Sequence, residues 1–156
     1  AFPESLITGA AIKVHDGAKE AYGALASRRY SIVYLTSRGR LFTEASRGWL
    51  RDVGLPTGPL RLAPQLLTFP GDATVDYKAG AMGEIAATGL KIFTGVGNRK
   101  SDGEAYQRAA VASTHVYLKQ PEYKDETRPL IDGGLAVAFD SYRELVPIFT
   151  AYPLGR

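Results

Sequence analysis

Short apolar runs alternate with helix-patterned stretches along nearly the whole chain, and this alternation restricts the fold more than any other feature of the sequence. Tyr30 to Leu35 (YSIVYL) is β-branched and aromatic, the composition of a strand buried on both faces. Leu60 to Leu62, Leu90 to Val96 and His115 to Leu118 read as further strands. Helix patterns fall between them. The first runs from Gly17 to Ala26, capped by Asp16, and the second from Thr43 through Trp49 to a stop at Gly54. The third covers Thr74 to Thr88 before Gly89, and the fourth runs from Asp102 through Ala110. Pro121 to Gly134 reads as a charged loop, and Leu135 to Phe139 and Tyr142 to Phe149 follow, with Pro147 bending any helix there. Strands separated by such helices predict right-handed βαβ units and a mainly parallel sheet. Ligands of such sheets gather beyond the carboxyl ends of the strands.

Composition narrows the chemistry. The 156 residues, 45% hydrophobic and 22% charged, suit one domain with its own core over residues 1–156. There is no cysteine, which excludes a disulfide framework, a thiolate nucleophile and a cysteine-held metal. A net charge of +3, from 19 basic and 16 acidic residues, suits an anionic ligand but is no nucleic-acid footprint. No apolar run approaches the roughly 20 residues that span a bilayer, and no amphipathic anchor stands out.

Three polar segments fall where strands end. Thr36-Ser37-Arg38 follows the YSIVYL strand; it is either a turn with a surface arginine or a hydroxyl-and-guanidinium site for phosphate oxygens. Lys78 lies early in the third helix pattern, where an ammonium can steady a phosphoryl group. Gly95-Val96-Gly97-Asn98-Arg99-Lys100-Ser101-Asp102 is a strand running into a glycine-bordered loop. Asn98 and Asp102 are hard oxygen ligands suited to Mg²⁺; the alternative is that Asp102 caps the next helix and Asn98 forms a turn. Arg99 adds charge that suits a phosphorylated substrate. His15 and His115 lack ligand spacing, and the sequence has no nucleophile elbow, dinucleotide fingerprint or P-loop.

These segments together resemble the lipin-type domain of the haloacid dehalogenase-like superfamily, shared by lipin phosphatidate phosphatases, membrane-associated phosphatidylinositol transfer proteins and bacterial relatives. The similarity covers Val14 to Leu118. It is carried by Tyr34 to Arg38 (YLTSR), Thr43 to Leu50 (TEASRGWL), Leu55 to Leu62 (LPTGPLRL), Lys78, and Gly97 to Tyr106 (GNRKSDGEAY). The resemblance implies an α/β, Rossmann-like three-layer sandwich with a mainly parallel sheet and little or no cap. It implies that Thr36 holds the transferring phosphoryl oxygens, that Lys78 steadies nucleophile and phosphate, and that Asn98 and Asp102 help hold Mg²⁺. Ser37, Arg38 and Arg99 are the further phosphate-binding candidates.

One part of the family pattern is missing. Asp-x-Asp-x-Thr, whose first aspartate is the nucleophile, occurs nowhere in these 156 residues. The resemblance therefore implies a central first strand upstream of Ala1, or a replacement for it: Leu135 to Phe139, Leu6 to Val14, or a segment or chain from elsewhere. Phe139-Asp140 is the one later hydrophobic-then-Asp pair considered as a substitute, and it lacks the second aspartate. Two functions follow from the resemblance. One is a Mg²⁺-dependent phosphatase acting on a phosphate monoester such as phosphatidate. The other is a binding module for a phospholipid head group, with peripheral membrane contact. Three motifs without the attacking carboxylate predict binding without covalent turnover by this chain alone.

Overall fold

The computed structural model describes residues 14–39, 43–64 and 72–156, with the side chains of residues 37–39 and 72 left outside that description. Among the described residues α-helices and strands alternate: α1 (Ala18–Ser27), β1 (Tyr34–Gly39), α2 (Thr43–Asp52), β2 (Leu60–Ala63), α3 (Asp72–Ala87), β3 (Gly95–Gly97), α4 (Lys100–Arg108), β4 (Val116–Lys119), α5 (Lys124–Asp132), β5 (Val137–Phe139) and α6 (Tyr142–Thr150). Every strand pairing is parallel, as helical crossovers require.

β4 shows why the chain folds in layers. Its side chains alternate between faces. Val116 and Leu118 enter a cluster with Val111, Leu130 and Ala136, whereas Tyr117 enters another with Ala21, Leu25, Phe139, Leu145 and Phe149. These three side chains are buried, and the strand is the middle one of its ladder. α1 and α6 cover the Tyr117 face; α3, α4 and α5 cover the other. Asp16 braces α1 against α6 through a two-pronged ion pair with Arg143, and that guanidinium holds the Asp16 carboxyl below its usual range. His15 stacks on Tyr142, and His115 packs between Phe93 and Tyr152; both histidines are structural.

The sheet is split. Among the described residues β1 pairs with β2, and β3, β4 and β5 form a separate ladder in that order. Yet the halves share their packing on both faces. Tyr34 of β1 and Val96 of β3 pack against the Tyr117 cluster, while Leu35 of β1 and Tyr106 of α4 pack against Val75, Met82 and Ala105. Side chains thus join β1 to β3 where no backbone ladder does. Tyr106 contributes most: its ring lies over Gly95, where a Cβ would approach it to 2.4 Å, and its hydroxyl donates to the Val96 carbonyl at 3.0 Å.

Several expectations need correction. Val137–Phe139 is the outer strand of its ladder, so it does not stand between β1 and β3. Asp140 accordingly lies beyond the outermost strand. Leu6 to Lys13 fall outside the described residues. The stretch Pro121 to Gly134 is not a loop: it holds α5, whose Thr127 and Leu130 are buried. Its prolines and charges mask the pattern, because the buried positions are few and one is a threonine. Likewise α6 runs through Pro147, supported by Ser141 and Glu144 bonding back and forth at its start. α1 is capped at Gly17 rather than Asp16, and α4 begins at Lys100. β1 and β3 start later than their apolar runs, because Tyr30, Ile32 and Phe93 pack in the core before the ladders begin.

The tyrosines at the seam give a pH signature. Burial raises Tyr22, Tyr106 and Tyr142, and pushes Tyr34 up to about 12. A hydroxyl with a raised folded-state pKa favours the fold while neutral. Stability from this group is therefore complete below the free-tyrosine range near pH 10 and is lost as pH climbs toward 12 and beyond. Denaturant titrations at stepped alkaline pH are expected to show this fall, which Tyr34→Phe reduces.

Candidate phosphoryl-binding site

The loop after β3 is organised by one carboxylate. Asp102, in the first turn of α4, accepts from the backbone N–H groups of Asn98 and Arg99 through Oδ2, each at 3.0 Å. This closes the helix start. Its Oδ1 takes the Lys78 ammonium of α3 at 2.5 Å. The two side chains are 9% and 16% exposed, so the pair is largely shielded from water. Gly97 is required beside it, since a Cβ there would lie 2.4 Å from that of Asp102. The carboxylate also raises the nearby Tyr106 hydroxyl, though burial raises it more.

The neighbouring helix provides a second anchor. Glu126 of α5 accepts from Lys100 N at 2.8 Å and from Arg99 Nε at 2.9 Å. The Arg99 guanidinium rests 4.1 Å above the Tyr123 ring. This hydrogen-bonded ion pair with Glu126 holds the Arg99 pKa above its ordinary value. The N–H groups of residues 98, 99 and 100 all donate to carboxylates, so an incoming anion meets side chains here rather than these amides.

The sequence candidates separate accordingly. Lys78, Asp102 and the backbone of Asn98 come together. Thr36 pairs in register with Leu62 at the end of the regular β1 ladder, and β1 packs on α3, the helix that carries Lys78. The register then slips: Gly39 is the next residue paired, opposite Ala63, so Ser37 and Arg38 fall in an irregularity of the strand. The side chains of Ser37 and Arg38 lie outside the description. Arg99 is turned onto Glu126 and Tyr123. Sequence reading missed those two residues because they fall in the stretch read as a loop. The spacing of Tyr123, Glu126, Thr127 and Leu130 (i, i+3, i+4, i+7) is the signal that marks them as one helical face.

The LNS2 domain of PITM 1-3 matches residues 2–119. The chain belongs to the LNS2 family. This is the lipin-type, haloacid dehalogenase-like assignment, and the matched region spans α1 to β4 with the whole Lys78–Asp102 site. The LNS2 chain is also similar to a solved structure described as a beta-phosphoglucomutase from Thermotoga maritima, at 18% identity and a TM-score of 0.58. The similarity covers 85% of the LNS2 chain and 58% of the other, so the chain spans under two thirds of that protein's length. At this identity the likeness shows the fold alone: α/β, Rossmann-like. No curated protein matches the chain.

Relatives in this superfamily use Mg²⁺. Here both Asp102 oxygens are engaged by Lys78 and by two backbone amides. No group of three or more His, Asp or Glu side chains that could hold a metal occurs among the described residues. Asp102 serves as the counter-ion of Lys78 and the cap of α4.

Breaking a shielded pair from one side leaves a charge without its partner. Asp102→Ala is expected to lower the unfolding free energy by about 3 kcal/mol in urea. Asp125→Ala, which removes an exposed pair with Arg128, is expected to leave the midpoint unchanged. Equal midpoints for the two variants would contradict this role for Asp102.

Proposed function

We propose that this chain is the phosphoryl-binding part of a haloacid dehalogenase-like phosphatase site, taking a phosphate monoester of the phosphatidate type. The observation that carries the reading is the shielded Lys78–Asp102 pair at 2.5 Å, set beside Asn98 where β3 ends. A lysine fixed by one oxygen keeps donors for a second anion, and low water content strengthens each contact it makes. On this reading Thr36 supplies its hydroxyl and Asn98 its side-chain carboxamide to the same phosphate. The reaction needs a carboxylate to attack phosphorus, and no Asp-x-Asp-x-Thr occurs in the sequence. This chain therefore binds and orients the phosphoryl group without forming a covalent intermediate.

The carboxylate belongs, on this reading, to a first strand lying between β1 and β3 and supplied from outside residues 14–156. The split ladder bridged by shared side-chain clusters supports that position. A second reading, a phospholipid head-group module with no turnover in any context, is favoured by the same missing motif. No described helix is long and apolar enough to cross a membrane.

Calorimetric titration with inorganic phosphate tests the reading. The chain is expected to bind it, and Lys78→Met and Asn98→Ala are each expected to weaken binding about tenfold or more. Unchanged affinity in both variants would overturn the site. Release of phosphate from an aryl phosphate by this chain with Mg²⁺ would overturn the claim that it lacks its own nucleophile.

A further inference from the structure

The β3–α4 loop carries Asn98, and its shape is not set by its own sequence alone. Within the loop Asp102 fixes the amides of residues 98 and 99. The amide of residue 100 is fixed from another element, by Glu126. The same Glu126 oxygen takes Arg99 Nε, and the Arg99 guanidinium is sandwiched onto Tyr123. Two consecutive residues of the loop, one through its backbone and one through its side chain, are thus tied to the first turn of α5.

That turn is rigidly mounted. Thr127, next to Glu126, is fully buried; its hydroxyl donates to the Tyr123 carbonyl and accepts from Gln120 Nε2 at 3.0 Å. One turn on, Leu130 packs so closely on Gly103 of α4 that a Cβ there would meet it at 2.5 Å. A carboxylate on such a support holds its partners more closely than one on a free surface helix. Arg99, meanwhile, is held by Glu126 through Nε and by the Tyr123 ring.

We propose that Glu126 is a positioning residue for the phosphoryl site: from α5 it clamps Arg99 and the Lys100 amide, and so fixes the backbone on which Asn98 stands beside Lys78. This rests on the phosphoryl-binding reading above. It makes a prediction opposite in sign to simple electrostatics. Removing a negative charge near an anion site favours the anion, whereas loosening the loop that builds the site disfavours it.

The test is inorganic phosphate titrated into Glu126→Gln, Glu126→Ala and Glu122→Ala, followed by amide NMR spectra. Glu126→Ala is expected to bind about tenfold more weakly than the parent, with faster hydrogen exchange at the Lys100 amide. Glu126→Gln, whose amide oxygen can still accept from Lys100 N, is expected to lose less. Glu122→Ala, which removes a nearby exposed carboxylate outside the clamp, is expected to bind as well as the parent or better. The Glu126 side chain is one-third exposed, and thermal melts confirm that the variants are folded. Tighter binding by the Glu126 variants would mean that a released Arg99 joins the site, and would overturn the clamp. Equal binding with unchanged exchange at Lys100 would overturn it as well. A parent chain that binds no phosphate would overturn the site reading and this inference together, an outcome distinct from parent binding with indifferent variants.

Discussion

The Asp102 carboxylate is the group on which the site end of this molecule depends. One oxygen closes the start of α4 and shapes the turn after β3; the other reaches α3 and holds Lys78. A single side chain thereby sets the position of two helices, one loop and the principal cation of the site. Its neighbours are chosen to permit this. Gly97 leaves room for it, and Tyr106, one turn further along α4, covers the β3 backbone that leads to it. Moving the carboxylate would disturb the cap, the cation and the helix contact together.

The rest of the fold answers a different constraint. A parallel sheet is normally continuous through its backbone ladder, and among the described residues no ladder joins β1 to β3. The two halves are held instead by side chains: Tyr34 and Val96 on the α1–α6 face, and Leu35 and Tyr106 on the other. Half-buried tyrosines gather at the seam. Each ring offers large apolar area, and each hydroxyl can serve a backbone group or another hydroxyl that would otherwise be unpaired. The interruption falls beside the candidate site, where the family pattern puts the attacking carboxylate.

Much of this was legible in the residues themselves. The alternation of YSIVYL, LRL and HVYL with helix patterns gave the parallel α/β plan, because period and composition act locally. The GNRKSDGEAY segment named the loop that the structure builds on. What sequence reading missed depended on partners distant in the chain. That Asp102 meets Lys78 turns on the placement of α3, which no local pattern encodes. The Arg99–Glu126 pair was not legible because Glu126 lay in a segment read as a loop. Proline and glycine hid α5, although the Tyr123–Glu126–Thr127–Leu130 spacing was present. Strand ends were misjudged because Tyr30, Ile32 and Phe93 are buried without entering a ladder.

The central claim is that Lys78, Thr36 and Asn98 form one anion site around the Lys78–Asp102 pair. The most direct measurement is a crystal structure of the chain soaked in tungstate, a phosphate mimic located by its anomalous scattering. The account predicts a tungstate bound to the Lys78 ammonium with Thr36 and Asn98 around it, and Arg99 still on Glu126. Tungstate held by Arg99, or bound elsewhere with Lys78 untouched, would contradict it.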